Sequence, residues 1–561
     1  MRAHPTHQFV VLTSLTIFTL TACSKTPGTP DAPDRTALAP EEEVIYYVFQ
    51  RSFYDANGDA EGDLAGITEK LPYLQDLGVT SILTTPLYKS IYYHNYFADD
   101  FETIDEEYGT RADYDKMIAA IHARGMKYYM DMEPQYVTDR HPWFATSYGN
   151  PQSEYSEYLI YNGPDNTKPE PMVFNLTSLL GYDGDSTRIT PVNLHNPNVK
   201  AYIYDLFRYW VDPNADGNFD DGVDGFRIDH MMDDLDYRGS NPNLYAEFWR
   251  PLFDELRAMN PNIRIIAEQA DWSDLSGAQF TDADIDYLFN FALAGSILSF
   301  DAKQIENAVD TTMATTPAGK YQMSFVENHD TDRFASVVGE DPAKMRFGAA
   351  MTTLMKGIPM LYYGQEIGMT GVGGFGMYGS NDGNDIPRRE AFEWYRSVDG
   401  PGMALWYKDT GPWWEDSKLR DNDGRSVEEE LADSTSLLNL YRDLLALRRD
   451  HSAFTTGDFR FVDAMRITRA ATTGSATSDG VESDNAGQPL AFCRWDATGA
   501  YLVVFNTANL NATIQVAGDG LPIAIAKTGI EVVAGSGDAV LNDAGDVRVS
   551  LPRYGFSVVR F

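Results

Sequence analysis

Cysteine is nearly absent from this sequence, whose 561 residues include only Cys23 and Cys493. Two cysteines cannot form a framework of disulfides, so the fold must depend on its hydrophobic core. Basic residues are also scarce, with 44 Lys and Arg against 83 Asp and Glu and a formal charge of −39. A field of this sign repels nucleic acid and anionic membrane surfaces, so we expect no nucleic-acid partner. The charge is compatible with a neutral polymer as substrate and with bound divalent cations or a saline medium.

The apolar run near the N-terminus, Phe9–Leu20, has about half the length that a membrane-spanning helix needs. It follows Arg2 and ends in Leu20-Thr21-Ala22-Cys23, which resembles the processing box of bacterial lipoproteins. We therefore predict a signal peptide over 1–22, removed in the mature protein, with Cys23 as the lipidated first residue. The alternative is an ordinary signal peptide with an incidental cysteine.

The segment after this cysteine predicts a location in the cell envelope. Residues 23–40 include four prolines and precede any periodic pattern, which is typical of a flexible tether. Ser24 stands where an acidic residue would favour the inner membrane in many Gram-negative lipoproteins. We expect an exported protein in the outer membrane or at the cell surface, in contact with a membrane only through the lipid on Cys23. The oligomeric state is left open.

Apolar strand patterns alternate eight times with amphipathic helical patterns such as YDKMIAAIHARG and SLLNLYRDLLALRRD. Eight such units over about 400 residues predict an α/β fold, a (β/α)8 barrel with a parallel sheet covered by helices. The predicted strands are Val44–Arg51, Val79–Thr84, Met126–Asp131, Val223–Asp229, Ile263–Glu268, Ile285–Asn290, Tyr321–Glu327 and Ile358–Tyr362.

Two long segments interrupt or follow the barrel pattern. Residues 134–197 come after the third strand and predict an inserted subdomain, while residues 364–433 follow the eighth strand and are rich in Gly, Trp and Asp. Both extend from the strand ends at which barrel active sites are built. The barrel itself is predicted over 41–133 and 198–456, and alternating apolar segments predict a C-terminal β-sandwich over 457–561.

Ionisable side chains follow three predicted strands at the point where each strand ends. GVDGFRIDH ends the fourth strand with Arg227 and Asp229, whose spacing of two residues points both to one side. IRIIAEQ ends the fifth strand with Glu268, and FVENHD ends the seventh with His329 and Asp330. A helix cap or a solvated loop explains ionisable residues at one strand end. It explains three strand ends less readily, because all three converge on one barrel mouth. We therefore predict an active site there.

These residue types are what retaining cleavage of a glycosidic bond requires. One carboxylate attacks the anomeric carbon while a second carboxyl group, still protonated, gives its proton to the leaving oxygen. The positive charge of Arg227 should keep the pKa of Asp229 low and the group ionised. Glu268 faces a crowded acidic site, which should raise its pKa and keep it protonated as a general acid.

The sequence resembles the α-amylase family, glycoside hydrolase family 13, over essentially all of residues 41–561. The resembling segments are RSFYDANGDAEGDLAGI, GVDGFRIDH, IIAEQ, FVENHD and GIPMLYYGQE, in the family's order and barrel positions. The resemblance implies an α-glucan hydrolase with Asp229 as nucleophile, Glu268 as acid/base and Asp330 as the carboxylate that grips the sugar. The candidate substrate contacts are Tyr96, Phe97, Asp131, Tyr136, Arg227, His230, His329 and Arg333.

The segment after the third strand departs from the family pattern. The family usually has Asp-x-x-x-Asn-His, whereas this chain has Asp131-Met132-Glu133-Pro134-Gln135-Tyr136. Gln135 stands where a calcium-binding Asn is usual, and Tyr136 where a sugar-contacting His is usual. Asp233 replaces a further usual His four residues after the nucleophile. We expect the interdomain calcium site of the family to be lost or rebuilt, and Tyr136 to stack on the sugar or hydrogen-bond to it.

Phe97, in YYHNYFADDF, bears on where the polymer is cut. Exo-acting α-glucosidases of the family usually have an Asp at this position, whereas amylase-type members usually have an aromatic residue. We therefore expect an endo-acting α-amylase that cleaves α-1,4-glucosidic bonds in starch-like glucans. Neopullulanase, cyclomaltodextrinase, α-glucosidase and glucanotransferase activities are alternatives with the same catalytic residues. A catalytically silent glucan-binding barrel is a remoter one, because Asp229, Glu268 and Asp330 are all present.

Two acidic loops have oxygen ligands at alternate positions, as calcium loops do, and Ca²⁺ is the expected cofactor. The loop that the family match also supports comprises Asp55, Asn57, Asp59, Glu61 and Asp63. The other loop, for which a solvated acidic turn is the alternative, comprises Asp212, Asn214, Asp216 and Asp220. Glu61 is expected to ligate through its backbone carbonyl. Gly66 and Val223 stand at the twelfth positions, so neither loop is an EF-hand.

Overall fold

Eight parallel strands close into a barrel in a computed structural model that describes residues 34–269, 271–463, 465–469, 487–522 and 529–561. The strands follow one another round the barrel in the order β1-β8-β7-β6-β5-β4-β3-β2, which confirms the predicted (β/α)8 fold. Their bounds are β1 Ile45–Val48, β2 Ser81–Thr84, β3 Lys127–Met132, β4 Gly225–Met231, β5 Arg264–Gln269, β6 Tyr287–Phe289, β7 Tyr321–Ser324 and β8 Ile358–Tyr362.

Helices cover the outside of the barrel, so the strands are buried on both faces. Every residue of β1, β2, β3 and β8 is buried, which explains their continuous apolar runs. The strand predicted over Tyr321–Glu327 ends at Ser324, because the chain turns there into the loop that carries His329 and Asp330. The main outer helices are Leu64–Leu77, Arg111–His122, Pro197–Val211, Arg250–Met259, Phe291–Leu298, Ala302–Thr315, Pro342–Leu354 and Leu437–Asp450.

Residues 134–197 leave the barrel after β3 and include a small antiparallel sheet. Its strands, in spatial order, are Tyr136–Thr138, Ser186–Pro191 and Ser178–Leu180, and a short helix spans Pro142–Ser147. The backbone N–H of Thr138 donates to the Ala98 carbonyl at 3.0 Å. This bond joins the insertion to the loop after β2 and brings Tyr136 near Phe97.

Two antiparallel sheets form the C-terminal part of the chain. One has the order Asp458–Phe461, Leu490–Trp495, Ala500–Phe505, Phe556–Arg560 and Glu531–Gly535, and the other Met465–Arg469, Ala512–Val516, Val547–Leu551 and Asp538–Leu541. A shared core joins the sheets, with Leu502 and Val504 from the first against Ile514 and Val549 from the second. Cys493 is buried in this core and forms no disulfide within the described residues.

The described N-terminal segment is fixed to the barrel. Arg35 pairs with Asp220 at 3.0 Å and with Asp224 at 2.9 Å. The flexible tether over 23–40 stays a prediction; in its described part, Arg35 joins the chain to the barrel by these two ion pairs. Cys23 and the predicted signal peptide lie outside the described residues. No helix within the described ranges has the length and apolarity that crossing a bilayer requires.

Candidate active site

Arg227, on β4, is fully buried and binds carboxylates from three adjacent strands. Its Nη1 lies 2.7 Å from Asp131 Oδ2 and also contacts Asp229 Oδ1. Its Nη2 lies 2.9 Å from Glu268 Oε2 on β5. One cation shared by three carboxyl groups leaves an excess of negative charge in a buried site. The carboxyl groups must therefore differ in their affinity for protons.

The pKa values of Asp229 and Glu268 move in opposite directions. Burial raises the pKa of Glu268 well above its usual value, and the charges of Asp229 and Asp330 add to this against the effect of Arg227. Burial also acts to raise the pKa of Asp229, but Arg227 and a hydrogen bond from Glu133 bring it below its usual value. Two carboxyl groups separated in this way can act as a proton donor and a nucleophile.

Asp330, in the loop after β7, lies between two side chains that favour its ionised form. Its Oδ2 is 3.0 Å from His329 Nε2, and its Oδ1 is 3.0 Å from Arg389 Nη2. Burial acts to raise the pKa of Asp330, yet these neighbours hold it far below its usual range. The His329 ring stacks on Tyr96, with ring centroids 5.2 Å apart. Asp330 is thus an ionised acceptor beside an aromatic surface.

Asp131 is held at the base of the site by two tyrosines. Tyr47 and Tyr96 donate their hydroxyl hydrogens to Asp131 Oδ2 at 2.9 Å and 2.7 Å. Burial raises the pKa of Asp131 to about 7, against the opposing effect of Arg227. Asp131 therefore fixes the positions of Arg227 and the Tyr96 ring by direct hydrogen bonds.

Tyr136 and His230 are joined through Asp236. The Tyr136 hydroxyl donates to Asp236 Oδ2 at 2.9 Å, and His230 Nε2 is 2.9 Å from Asp236 Oδ1. His230 and Asp236 have φ angles of +46° and +58°, a region that side-chain-bearing residues rarely adopt. The His230 backbone N–H donates to Glu268 Oε2 at 2.8 Å. The strained C-terminal end of β4 thereby presents a backbone donor to Glu268.

The family model of the α-amylase catalytic domain matches residues 47–457. The chain belongs to the α-amylase family. It is a glycoside hydrolase, an enzyme that acts on glycosidic bonds. The resemblance stated from the sequence motifs is confirmed.

Named relatives of this amylase-family enzyme differ in activity. α-Amylase 3 of Dictyoglomus thermophilum is 26% identical over 428 residues, covering 74% of this chain and 78% of that protein. Oligo-1,6-glucosidase of Parageobacillus thermoglucosidasius is 27% identical over 496 residues, covering 75% and 85%. The crystal structure of an α-amylase from H. orenii has a TM-score of 0.72 at 26% identity, covering 92% of this chain and 99% of that chain. Bond preference must therefore be argued from the site itself.

Most of the predicted site residues of this family member lie together at the barrel mouth, but Arg333 does not. Its Nη1 donates to Glu327 Oε1 at 3.0 Å, and its guanidinium lies over the rings of Tyr362 and Tyr363. Arg333 follows Asp330 by three residues, and the turn between them carries its side chain into the core. The residues brought together are Tyr96, Phe97, Asp131, Tyr136, Arg227, Asp229, His230, Glu268, His329 and Asp330.

Four residues of the site were not predicted: Tyr47, Glu133, Asp236 and Arg389. Glu133 follows Asp131 by two residues, and the alternation of a strand was a signal that both point to one side. Arg389 belongs to the segment 364–433, where no periodic pattern indicates which side chain folds back to Asp330.

The first predicted calcium loop is a compact turn. Both carboxylate oxygens of Asp55 accept backbone N–H groups of their own loop. The Asp63 carboxylate caps the helix Leu64–Leu77, and the Glu61 carboxylate pairs with Arg51 at 2.8 Å. Nowhere in the described part of the chain do three or more His, Cys, Asp or Glu side chains converge as ready-made metal ligands. Ligation by this loop therefore requires the amide of Asn57 and backbone carbonyls as well.

The second predicted calcium loop is less suited to a cation. The Asp212 carboxylate accepts two backbone N–H groups of the loop. Asp220 turns toward Arg35, whose Nη1 lies 3.0 Å from Asp220 Oδ1. The charge of Asp220 is thus already matched by a guanidinium.

Proposed function

We propose that this enzyme is an endo-acting, retaining α-amylase that cleaves α-1,4-glucosidic bonds in starch-like α-glucans. Asp229 is the nucleophile, Glu268 the general acid/base, and Asp330 the carboxylate that binds sugar hydroxyls. The observation that carries the chemistry is the guanidinium of Arg227, which binds Asp229 and Glu268 through its two Nη atoms. This shared contact keeps the two carboxyl groups close together, as a nucleophile and a proton donor of one retaining site must be.

In the first step the ionised Asp229 attacks the anomeric carbon. The glycosidic C–O bond breaks, and the Glu268 proton passes to the leaving oxygen as a glycosyl–Asp229 ester forms. Esterification removes the negative charge of Asp229, which had raised the pKa of Glu268. The positive charge of Arg227 then lowers the pKa of Glu268. Glu268 can now take a proton from water, whose oxygen attacks the anomeric carbon and releases Asp229.

Asp330 and its neighbours suit recognition of the sugar at the point of cleavage. Arg389 and His329 keep Asp330 ionised, and an ionised acceptor makes stronger hydrogen bonds to hydroxyls than a neutral one. The Tyr96 ring supplies an apolar face for the sugar.

The endo-acting part of the proposal rests on Phe97. Its ring packs edge-on against Tyr92 at 5.5 Å and against Tyr136 at 6.1 Å between centroids. A carboxylate at position 97 would hydrogen-bond to the hydroxyls of a terminal glucose, whereas phenylalanine makes no such bonds and leaves an aromatic wall. The relatives named oligo-1,6-glucosidase favour the alternative, an α-glucosidase.

The time course of products from soluble starch, pullulan and a cyclodextrin separates these activities. An endo-acting amylase should abolish iodine staining of starch well before most reducing ends appear, with little early product from pullulan or cyclodextrin. Glucose as the only early product at constant polymer length would replace this proposal with the exo-acting one. Early cleavage of pullulan or cyclodextrin would instead favour the neopullulanase alternative.

We also propose that the loop 55–63 binds Ca²⁺. Burial raises the pKa of Asp63, and the neighbouring charges of Asp55 and Asp59 raise it further. The guanidinium of Arg51 is already paired with Glu61. With carboxylate, amide and backbone carbonyl oxygens at alternate positions, the loop offers the oxygen donors that Ca²⁺ takes.

Finally, we propose that the enzyme is exported and anchored in the envelope through a lipid on Cys23. The support is the Leu20-Thr21-Ala22-Cys23 sequence after a short apolar run. The barrel begins only 22 residues after Cys23, at β1. Anchoring would thus hold the catalytic domain near the membrane surface.

A further inference from the structure

Glu133 is a buried carboxyl group that the steps above do not use. It follows the last residue of β3 directly and is 1% exposed. The parallel register pairs Met132 with Ile228, so the next residues along the two strands are Glu133 and Asp229. This register places the Glu133 and Asp229 side chains next to each other, close enough for a hydrogen bond between their carboxyl groups.

Gln135 fixes the orientation of the Glu133 carboxyl group. The Gln135 backbone N–H donates to Oε1 at 2.8 Å, and its Nε2 donates to Oε2 at 3.0 Å. The same Nε2 lies 3.0 Å from the main-chain oxygen of Asp229. Both Glu133 oxygens thus accept hydrogen bonds, and a bond between two carboxyl groups requires a proton between them.

Charge balance favours one proton on this pair, and the contact of Asp229 with Arg227 leaves that proton on Glu133. Next to this pair, the single guanidinium of Arg227 already contacts three carboxyl groups, those of Asp131, Asp229 and Glu268, before Glu133 is counted. With Glu268 protonated, an ionised Glu133 would leave three carboxylates, those of Asp131, Glu133 and Asp229, against one guanidinium in a buried site, which is costly. Burial and the charge of Asp229 both raise the pKa of Glu133 well above its usual value.

Two tyrosines near Glu133 do not supply the proton shared by Glu133 and Asp229. Tyr88 donates its hydroxyl hydrogen to the Glu133 main-chain oxygen at 3.1 Å. Tyr136 donates to Asp236. Burial raises the pKa of both tyrosines well above the usual value, so both stay neutral.

We propose that Glu133 is a positioning residue for the nucleophile: its neutral carboxyl group donates a hydrogen bond to the Asp229 carboxylate and holds it for attack. This inference rests on the proposed function, because it takes Asp229 as the nucleophile. A hydrogen-bond donor to the ionised Asp229 carboxylate lowers the pKa of Asp229, so that Asp229 stays ionised at lower pH. In the second step the same donor stabilises the carboxylate as it leaves the sugar.

The test compares Glu133→Gln with Glu133→Met. Glutamine keeps the length and an N–H donor but cannot ionise, whereas methionine keeps the approximate size and removes the donor. The acid limb of the pH profile of kcat/KM reports protonation of the free nucleophile. Without the donor, this limb should move up by about one pH unit, since hydrogen bonds to charged groups are of that magnitude.

The methionine variant should show this upward shift and a fall in kcat of about tenfold or more, with KM changed less. The glutamine variant should keep the acid limb of the wild type and kcat within about fivefold. An acid limb in the methionine variant that coincides with that of the wild type would overturn the proposal. So would equal behaviour of the two variants. If the methionine variant does not fold, Glu133→Asp, whose shorter side chain draws the donor back from Asp229, should show the same shift.

Asp229→Asn separates this inference from the proposed function. Activity of Asp229→Asn near that of the wild type would remove the nucleophile assignment itself. Loss of activity in Asp229→Asn, with no shift in the Glu133 variants, would remove only the positioning role.

Discussion

The guanidinium of Arg389 lies 3.0 Å from Asp330 Oδ1, although 59 residues separate the two along the chain. Arg389 also donates to the Tyr93 hydroxyl at 2.9 Å. Arg389, in the segment after β8, thus helps to keep Asp330, in the loop after β7, ionised. Assembly of the sugar site therefore depends on an insertion that folds back over the barrel mouth.

Arg389→Met should lower kcat/KM by about 10- to 100-fold, because a hydrogen bond between charged groups contributes about 1.5–3 kcal/mol. Loss of the cation also raises the pKa of Asp330 toward its usual value, so the activity lost should be greatest at low pH. Steady-state kinetics between about pH 4 and 8 measures both effects.

Arg388→Met is the matched control, because Arg388 pairs with Asp332 at 2.8 Å and Asp385 at 2.7 Å. It should change kcat/KM much less than Arg389→Met does. Equal losses in the two variants would indicate a general disturbance of the segment instead of a specific effect on Asp330.

Asp229→Asn and Glu268→Gln should each reduce turnover of starch by several orders of magnitude and leave the fold intact. The two variants differ on maltosyl fluoride, whose leaving group needs no proton. Glu268→Gln should still form the glycosyl–enzyme ester from it, and Asp229→Asn should not. Mass spectrometry of the trapped ester measures this, with circular dichroism as the check on folding. Ester formation by Asp229→Asn would contradict the assignment of the nucleophile.

The barrel and its strand ends were predictable because both depend on local pattern. The apolar runs of β1–β8 set the strands, and the ionisable residues that end β4, β5 and the loop after β7 then share one mouth. Arg389, Asp236 and the pairing of Arg333 with Glu327 were not predictable in this way. Their positions depend on loop paths fixed by long-range contacts, which periodicity does not encode.

A chelator should lower the melting temperature of the wild type if the loop 55–63 binds Ca²⁺. A ligand at a hundredfold excess over its dissociation constant stabilises the folded state by about 2.7 kcal/mol. Asp59→Ala should abolish the chelator effect, whereas Asp216→Ala in the loop 212–220 should preserve it. Equal chelator shifts in the wild type and in Asp59→Ala would count against this site.

Cys23→Ala should release the enzyme from the envelope. Without the thiol no lipid can be attached, so the variant should be found in soluble fractions or as the unprocessed precursor. Fractionation and mass spectrometry of the mature N-terminus measure this, and Cys493→Ala is the control, since Cys493 is buried in the core. Full-length, unmodified wild-type enzyme in the cytoplasm would be incompatible with anchoring.

Phe97→Asp should shift the mode of attack toward chain ends. The new carboxylate can hydrogen-bond to the hydroxyls of a terminal glucose, and a longer chain at that point must leave this polar group unpaired, which costs about 1–3 kcal/mol. The ratio of iodine-staining loss to reducing ends formed should therefore fall by about tenfold, with a larger share of glucose among early products. Phe97→Leu is the control, because it removes the ring without adding an acceptor and should keep the endo-type ratio. If Phe97→Asp retains that ratio while the wild type is endo-acting, position 97 does not control access. The segments 134–197 and 364–433, which extend from the same end of the barrel, would then be the next elements to vary.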